Sequence, residues 1–176
     1  MPADNLLTGL RVLDFTRVMA GPFCTALLAD LGAEVIKVEP AQGDDYRHIG
    51  PFKNGESGLF ALMNRGKRSI TVDMKSPAGL DIVHDLARRA DIVVENFRPG
   101  VTARLKIDYA TLSGLKEGLV YLSISGFGQS GPLAHRPAYD LIAQAMAGLM
   151  SVTGEPERPP MRVGEAYGDL VSGLFG

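Results

Sequence analysis

The chain has 176 residues, of which 45% are apolar and 22% charged, as in an ordinary globular domain with a substantial core. Eighteen basic residues face 20 acidic ones, so the overall charge provides no surface for nucleic acid. The apolar runs are far shorter than the ~20 residues of a membrane span. We therefore expect neither nucleic acid nor membrane as a partner. Cys24 is the only cysteine, which fits a reducing compartment and predicts a cytoplasmic location.

The first elements predict a strand–helix–strand unit. The strands cover 11–15 and 34–39, and the helix between them has Pro22 in its first turn and ends at Gly32. The helix residues expected to face the sheet are Phe23, Leu27, Leu28 and Leu31. This is the outline of a dinucleotide-binding βαβ unit, but the first turn, 14–22, lacks the glycine-rich phosphate loop. The ligand of this unit is therefore the main functional question.

The remaining elements continue the alternation of strands and helices. After a long polar loop at 40–57, the pattern predicts a short helix or turn at 59–64, strands at 68–73, 91–95 and 119–125, and helices from 77, at 101–105, 109–115 and 139–150, and from about 165. This order predicts an α/β fold with a doubly wound, mostly parallel sheet. Ligands of such sheets bind beyond the carboxyl ends of the strands. The candidate binding loops are 16–21, 40–57, 74–77, 96–104 and 126–139.

A glycine motif follows the last predicted strand. Residues 126–131 match G-x-G-x-x-G, which in isolation suggests a nicotinamide cofactor. However, Pro132 follows at once, no helix opens on the third glycine, and the acidic residue that would suit, Glu39, belongs to another unit. The motif is better explained as a tight loop that approaches some other ligand closely.

Other chemistries find little support in the sequence. The three histidines, His48, His84 and His135, lack metal-ligand spacing, so no metal site is expected. Cys24 lies within a predicted helix as a core residue. Neither a G-x-S-x-G elbow nor a G-x-x-x-x-G-K-[ST] loop is present.

The last residues, GEAYGDLVSGLFG, stop inside an apolar, helix-like pattern. Natural domains seldom stop in this way, so we expect the chain to be a fragment of a longer protein. The alternative is a short terminal helix that docks on the core.

Six phrases of the sequence, in this order and spacing, resemble the family III CoA-transferases, the group of formyl-CoA transferase, carnitine CoA-transferase and α-methylacyl-CoA racemase. They are VLDFTRVMAGPFCTALLADLGAEVIKVE, NRGKRSITVDMK, DIVVENFRPG, SGFGQSGP, PAYDLIAQAMAG and GEAYGDLVSGL. The resemblance covers about 8–176. It implies that 1–176 form the N-terminal part of a large Rossmann-like CoA-binding domain, incomplete here, with a smaller domain outside this chain. It also implies an interlocked homodimer of full-length chains.

The resemblance places the family's aspartate nucleophile at Asp169. The carboxylate would attack an acyl-CoA thioester, form a mixed anhydride and then an aspartyl-CoA thioester, and pass CoA to an acceptor acid. Small neighbours, Gly168, Ser172 and Gly173, would admit the thioester. From residue type alone, the favoured interpretation is that Asp169 only caps or solvates the last helix. No permanent cofactor is implied, and coenzyme A or acyl-CoA enters as substrate.

The resemblance also maps the family's CoA contacts onto this chain. They fall on Met19, Ala20, Val72, Asp73, Met74, Lys75, Asn96, Phe97, Arg98 and Arg104. Lys75 and Arg104 suit phosphates, and Phe97 could pack on adenine. For the two cations, ordinary surface charge is the alternative interpretation.

At two positions this chain differs from some members of the family that it resembles. Pro40 stands where some relatives have an arginine for a CoA phosphate, and Arg47 and Lys53 are candidates to replace it. Tyr139 stands where the racemase branch has a histidine base. The phenol of a free tyrosine has a pKa of about 10 and is a poor base for that step. This favours CoA transfer over racemisation, with Tyr139 lining the acyl or pantetheine site.

The sequence therefore supports a CoA-transferase as the leading hypothesis. The alternatives are an α-methylacyl-CoA racemase or epimerase, an inactive CoA-binding fragment and a nicotinamide-dependent enzyme. The donor and acceptor acids cannot be read from these residues.

Overall fold

The computed structural model describes residues 5–176. The strands are β1 (Arg11–Asp14), β2 (Glu34–Glu39), β3 (Phe52–Lys53), β4 (Glu56–Ser57), β5 (Arg68–Thr71), β6 (Ile92–Glu95) and β7 (Val120–Ser123). The α-helices are α1 (Ala20–Asp30), α2 (Gly58–Met63), α3 (Pro77–Ala87), α4 (Val101–Arg104), α5 (Tyr109–Ser113), α6 (Asp140–Met146) and α7 (Tyr167–Phe175). Two 3₁₀ helices cover Asp45–His48 and Leu149–Val152.

Five strands form one parallel sheet in the order β5-β2-β1-β6-β7. The chain builds outward from β1 through β2 to β5, then returns to the other side of β1 to add β6 and β7. The predicted α/β fold with a parallel, doubly wound sheet is confirmed. Because the winding direction changes between β1 and β6, a crevice is expected beyond the carboxyl ends of these two strands.

Both faces of the sheet are buried, as parallel sheets require. In β1, Leu13 belongs to the larger core cluster, which includes Val83 and Ala87 of α3. Its neighbour Val12 points to the opposite face and packs with Val35 and with Leu28 of α1. Because successive side chains of a strand point to opposite faces of the sheet, the strands contribute to two separate hydrophobic layers.

The packing of α1 differs from the expected leucine face. Leu28 packs on the sheet as predicted, but Leu31 is 44% exposed, and the buried face consists of small residues such as Ala26. The reason is that α7 crosses α1 closely. A β-carbon at Gly173 would lie 2.6 Å from the carbonyl oxygen of Ala20, so only glycine allows this approach.

Two further segments differ from the predicted lengths and shapes. The long loop at 40–57 contains a 3₁₀ helix and the antiparallel β3–β4 hairpin, so it is an ordered cover at the end of β2. The helix expected at 139–150 ends at Met146, because Gly148 adopts a left-handed conformation with φ of 80°. Among residues 5–176, no helix combines the length and the apolar character that crossing a membrane demands.

The close α1–α7 crossing makes a testable prediction. We expect G173A to lower the free energy of unfolding by about 1–3 kcal/mol, because its methyl group would press on two backbone atoms, Ala20 O and Cys24 N. G114A is the matched control, since that helix-end glycine has φ of −68° and its nearest neighbour would lie 3.4 Å away. Urea unfolding of both variants measures the difference. Equal midpoints for G173A and wild type would contradict the packing.

Candidate active site

An open cleft of about 190 Å³ lies at the carboxyl ends of β1, β6 and β7. Five segments line it: the turn at 17–20, the loop at 96–99, residues 124–126 after β7, the segment of Ala134, 136–140 and Ala143, and Gly168, Asp169 and Ser172 of α7. The cleft therefore occupies the crevice that the sheet topology predicts.

Asp169 lies in the first turn of α7 and is half-buried in this cleft. Burial, followed by the negative charge of Asp140, raises the pKa of its carboxyl group from 3.8 to about 6. The group is therefore mostly ionised above pH 7 but is more basic than a free aspartate. A partly desolvated, more basic carboxylate is suited to attack an electrophilic carbonyl.

Asp140 fixes the start of α7. Its Oδ1 accepts a hydrogen bond of 2.7 Å from the Gly168 backbone N–H, and its Oδ2 accepts one of 2.7 Å from the Gln144 amide. Gln144 in turn accepts from the Val163 N–H and donates to the Glu165 carbonyl oxygen. One carboxylate thus both anchors the segment that carries Asp169 and raises the pKa of its carboxyl group.

The turn after β1, which forms one wall of the cleft, is held by side chains. The Asn96 amide pairs with both backbone groups of Arg17, accepting from its N–H at 2.9 Å and donating to its carbonyl oxygen at 2.7 Å. Val18 follows with φ of 69°, which is unusual for a β-branched residue, and its N–H donates to Asp44 Oδ1 at 3.1 Å. These contacts stand where a dinucleotide site would have a glycine-rich loop.

Two buried ion pairs lie beneath this turn. Lys37 Nζ is 2.8 Å from Asp44 Oδ2, Lys67 Nζ is 3.0 Å from Asp14 Oδ2, and all four side chains are at most 2% exposed. Burial lowers the pKa of Lys67 to about 8, against the attraction of Asp14. Lys37 also donates to the Thr16 carbonyl oxygen at 2.7 Å. Each buried charge therefore has an opposite partner, as the low-dielectric interior requires.

Glu39 and Arg47 form a further pair at the end of β2. The guanidinium donates to the two carboxylate oxygens at 2.7 and 2.6 Å and stacks 3.7 Å above the Phe60 ring. Although burial opposes it, hydrogen bonds from Arg47 and Ser69 lower the pKa of Glu39 to about 2. Both oxygens of Glu39 are therefore engaged, and the Arg47 guanidinium is held in this pair, so its contact with a CoA phosphate stays a prediction. Lys53 remains exposed on β3.

The glycine motif forms a close-approach loop. A β-carbon at Gly126 would lie 2.3 Å from that of Ala138, so the loop packs tightly on the stretch before α6. Gly128 and Gly131 have φ of 77° and 100°, which glycine adopts without strain. No helix follows the third glycine before Asp140, so no helix N-terminus is offered to a pyrophosphate.

The structure brings most of the predicted site residues together. Those that line the cleft are Met19, Ala20, Asn96, Phe97, Arg98, Tyr139 and Asp169. The other predicted CoA contacts lie outside the cleft: Val72 is buried in the core, Met74 packs against it, and Asp73, Lys75 and Arg104 are exposed. Their contact with coenzyme A stays a prediction.

Two cleft arginines were missed by the sequence reasoning. Arg17 lies over the Phe97 ring with its guanidinium 5.8 Å from the centroid, and Arg136 also lines the cleft. Both fall in loops that the sheet topology had selected, so their position in the chain was the available signal. Among residues 5–176, no group of three or more His, Cys, Asp or Glu side chains is placed to hold a metal ion.

Comparison with known proteins points to a single family. The family model described as CoA-transferase family III matches residues 7–176. The chain is 50% identical over 171 residues to the succinyl-CoA:glutarate CoA-transferase of Mus musculus, covering 96% of this chain and 39% of that protein. It is also 50% identical over 169 residues to the acetyl-CoA:oxalate CoA-transferase of Acetobacter aceti, covering 95% of this chain and 43% of that protein.

Solved structures agree with this match. The crystal structure of a CAIB/BAIF family protein from Brucella suis superposes with a TM-score of 0.94 at 43% identity, covering 98% of this chain and 47% of that one. A hypothetical protein from Mycobacterium tuberculosis gives a TM-score of 0.89 at 38% identity, covering 97% and 48%. The chain therefore spans about two fifths of the length of the curated relatives and about half of these structures.

The raised pKa of Asp169 predicts a pH-dependent gain in stability when its charge is removed. Because the folded-state pKa of about 6 lies above the ordinary 3.8, the stability that the protonated group contributes is lost as pH rises through this window. We expect D169N to raise the melting temperature at pH 7 by roughly 2–4 °C and by less at pH 5. Differential scanning calorimetry at both pH values tests this, with D81N at an exposed position of α3 as control. A pH-independent effect of D169N would contradict the electrostatic account.

Proposed function

The chain belongs to CoA-transferase family III, and we propose that the whole protein moves coenzyme A from an acyl-CoA thioester to an acceptor carboxylic acid through Asp169. The observation that carries this proposal is the Asp169 carboxyl group, half-buried in the cleft with a pKa of about 6. Gly168 and Ser172, which line the cleft beside it, leave room for a thioester.

The proposed reaction divides one acyl exchange into four substitutions at carbonyl carbons. The Asp169 carboxylate attacks the donor thioester, which forms a mixed anhydride and releases the CoA thiolate. The thiolate attacks the aspartyl carbonyl, giving an aspartyl-CoA thioester and the free donor acid. The acceptor carboxylate attacks that thioester to form a second anhydride and thiolate, and the thiolate then attacks the acceptor's carbonyl and frees Asp169. Such covalent catalysis replaces one difficult step by easier ones.

The electrostatics of the cleft support this role for Asp169. Its pKa of about 6 leaves it ionised at neutral pH while making it more basic than an exposed aspartate. Each substitution passes through an oxyanion that needs N–H donors. The glycine-rich backbone around Gly126, which lines the same cleft, is a candidate to supply them.

For coenzyme A, we propose that cations at the cleft hold the phosphates and that Phe97 packs on the adenine. Three arginines line the cleft: Arg17, Arg98 and Arg136. Arginine suits phosphate because its planar fork donates two parallel hydrogen bonds. The exposed Lys75 lies in the loop after β5 and the exposed Arg104 ends α4, which follows β6; both are proposed to reach the more distant phosphates.

The remaining predicted contacts have more limited proposed roles. Because the Asn96 amide is engaged by Arg17, its proposed contribution is to hold the turn. Met19 and Ala20 provide a small apolar wall at the amino end of α1. The loop after β5, with Val72, is proposed to contact coenzyme A mainly through its backbone.

We propose a dicarboxylic acid as the acceptor. The names of the two relatives compared above specify glutarate and oxalate, both dicarboxylates. In each case one carboxylate would become the CoA thioester while the other stays ionised. Exposed arginine side chains at the cleft, such as Arg136, complement that second negative charge.

CoA transfer is favoured over racemisation by the lining of the cleft. Tyr139 lines it where the racemase branch has a histidine, and none of the three histidines of the described residues lies among its lining residues. An imidazole base at the substrate's Cα is therefore not provided by this part of the chain.

The proposal for the whole protein includes its assembly and location. We propose that residues 1–176 are the N-terminal part of a larger CoA-binding domain, that full-length chains interlock as a homodimer, and that the enzyme works in the cytoplasm. Native mass spectrometry of the full-length protein tests the dimer, and a monomeric mass under active conditions would contradict it.

The covalent mechanism predicts a trapped adduct. When the full-length protein is incubated with acyl-CoA, quenched and digested, we expect a CoA or acyl adduct on the peptide that contains Asp169. D169N should lack the adduct and lose at least about 10³-fold in turnover, because the nucleophile is absent. Mass spectrometry identifies the modified peptide. Normal turnover without any adduct under trapping conditions would exclude the covalent route.

The neighbouring carboxylate predicts a shift of the pH profile. Because the charge of Asp140 contributes to the raised pKa of Asp169 in the free protein, D140N should move the acidic limb of the kcat/KM profile to lower pH. E165Q is the matched control, since that side chain is exposed and only its backbone carbonyl contacts Gln144. A pH–rate series on full-length enzymes measures both. A limb that stays in place in D140N would show that Asp140 does not set the pKa of Asp169.

A further inference from the structure

We propose that Asp44, whose side chain lies outside the cleft lining, is a positioning residue for the reaction. It holds Val18 in a left-handed conformation and thereby sets the wall of 18–20 in the cleft that Asp169 also lines. This inference rests on the proposed function of Asp169 and goes beyond it, because it assigns a role to a buried charge in the loop after β2.

The conformation of Val18 is the first part of the argument. Its φ of 69° lies in a region that a β-branched residue rarely adopts, because the side chain crowds the backbone there. Such a conformation persists only where the surroundings impose it. Val18 is followed by Met19 and Ala20, and all three line the cleft. If Val18 relaxed to a negative φ, the direction of the following backbone would change and this wall would move.

Asp44 is the contact that acts on Val18 itself. The Val18 N–H donates to Asp44 Oδ1 at 3.1 Å. The two preceding residues are held by other side chains: Lys37 donates to the Thr16 carbonyl oxygen, and the Asn96 amide pairs with both backbone groups of Arg17. Lys37 is the ion-pair partner of Asp44, whereas the Asn96 anchor does not involve Asp44. Loss of the Asp44 oxygen would therefore release Val18 while Asn96 still holds Arg17.

Asp44 is itself rigidly placed. It is 2% exposed, and its carboxylate lies 2.8 Å from the Lys37 ammonium and accepts from the Tyr46 N–H at 3.0 Å. Its own N–H donates to Glu39 Oε2 at 2.9 Å. Since Lys37 and Glu39 belong to β2, the position of the Asp44 oxygen is fixed by the sheet.

One packing contact and one electrostatic interaction connect the turn and the loop after β2 to Asp169 and its helix. Gly173 of α7 lies against the Ala20 carbonyl oxygen, so the helix that carries Asp169 packs directly on the end of the turn. Tyr46 follows Asp44 by two residues, and its pKa is raised first by burial and then by the charge of Asp169. A displaced Val18 would therefore change the distance between the wall and the reacting carboxylate.

Two double variants of the full-length protein separate positioning from charge burial. K37M/D44N and K37M/D44L both remove the ion pair, so neither leaves a buried charge alone. The asparagine amide oxygen can still accept from the Val18 N–H, whereas leucine cannot. We expect a lower melting temperature for K37M/D44L, because leucine also leaves the Tyr46 N–H without its acceptor, and a kcat about 10- to 100-fold lower than for K37M/D44N. Should K37M/D44L not fold, K37M/D44A takes its place, since alanine also lacks the acceptor.

A rescue experiment supplies the readout that a purely structural role would not move. Adding V18G to K37M/D44L should restore most of the lost kcat, because glycine adopts φ near 69° without needing to be held. Crystal structures of the two double variants report φ of residue 18 independently of turnover. We expect a positive value in K37M/D44N and a negative value in K37M/D44L.

Equal kcat and a positive φ in both double variants, or no rescue by V18G, would overturn the positioning role of Asp44. Absence of CoA transfer by the wild-type full-length protein would instead overturn the proposed function. In that event the two values of φ still decide whether Asp44 holds Val18, so the two failures are distinguishable.

Discussion

Two ion pairs are buried beneath the turn that follows β1, and the shape of the cleft depends on them. Lys37 with Asp44 and Lys67 with Asp14 tie that turn to β2 and to the segment before β5. Because these side chains are almost fully excluded from water, removing one partner would leave an uncompensated charge at a cost of several kcal/mol. The charges therefore have to stay together, and the backbone between them has little freedom. Related topologies bind a cofactor's phosphates with a glycine-rich turn and a helix N-terminus. In this chain, buried side chains hold the corresponding turn in place, and the turn forms a wall of the cleft.

Asp140 likewise has two effects, one on the start of α7 and one on the ionisation of Asp169. The Asp140 carboxylate that accepts from the Gly168 N–H, and so begins α7, also opposes ionisation of the neighbouring Asp169. A group that anchors the helix thus makes the carboxylate more basic. Such an arrangement lowers stability at neutral pH where it favours reactivity, the compromise that active sites commonly show. The cleft is therefore lined both by the turn above the buried ion pairs and by the start of α7, which carries the more basic carboxylate.

The regular elements of the fold could be predicted because their signals are local. The strand over 34–39 was predicted with its observed bounds, and α3 begins at Pro77 as predicted. The location of the cleft followed from the alternation of strands and helices, and Asp169 from the resemblance of whole phrases to a known family. What could not be predicted depends on contacts between distant residues. The buried face of α1 is determined by α7, some 150 residues later along the chain.

The charged residues illustrate the same limit. Lys37 and Glu39 read as ordinary strand charges, and nothing in the sequence indicates that Asp44 in a polar loop folds back onto the first turn. Arg47 was a candidate for a phosphate contact, yet its guanidinium is engaged by Glu39. Pairing of this kind is set by three-dimensional proximity, which residue type and spacing do not encode.

The central claim is that the Asp169 carboxylate forms covalent bonds during each turnover, first an anhydride with the acyl group and then a thioester with CoA. Full-length enzyme turned over with acyl-CoA and an acceptor acid labelled with ¹⁸O in both carboxylate oxygens tests this directly. If the acceptor forms an anhydride with Asp169, the bridging oxygen is left on the enzyme, and the Asp169 peptide gains ¹⁸O as turnovers accumulate. An unlabelled Asp169 peptide after many turnovers, with labelled acyl-CoA product, would contradict the account.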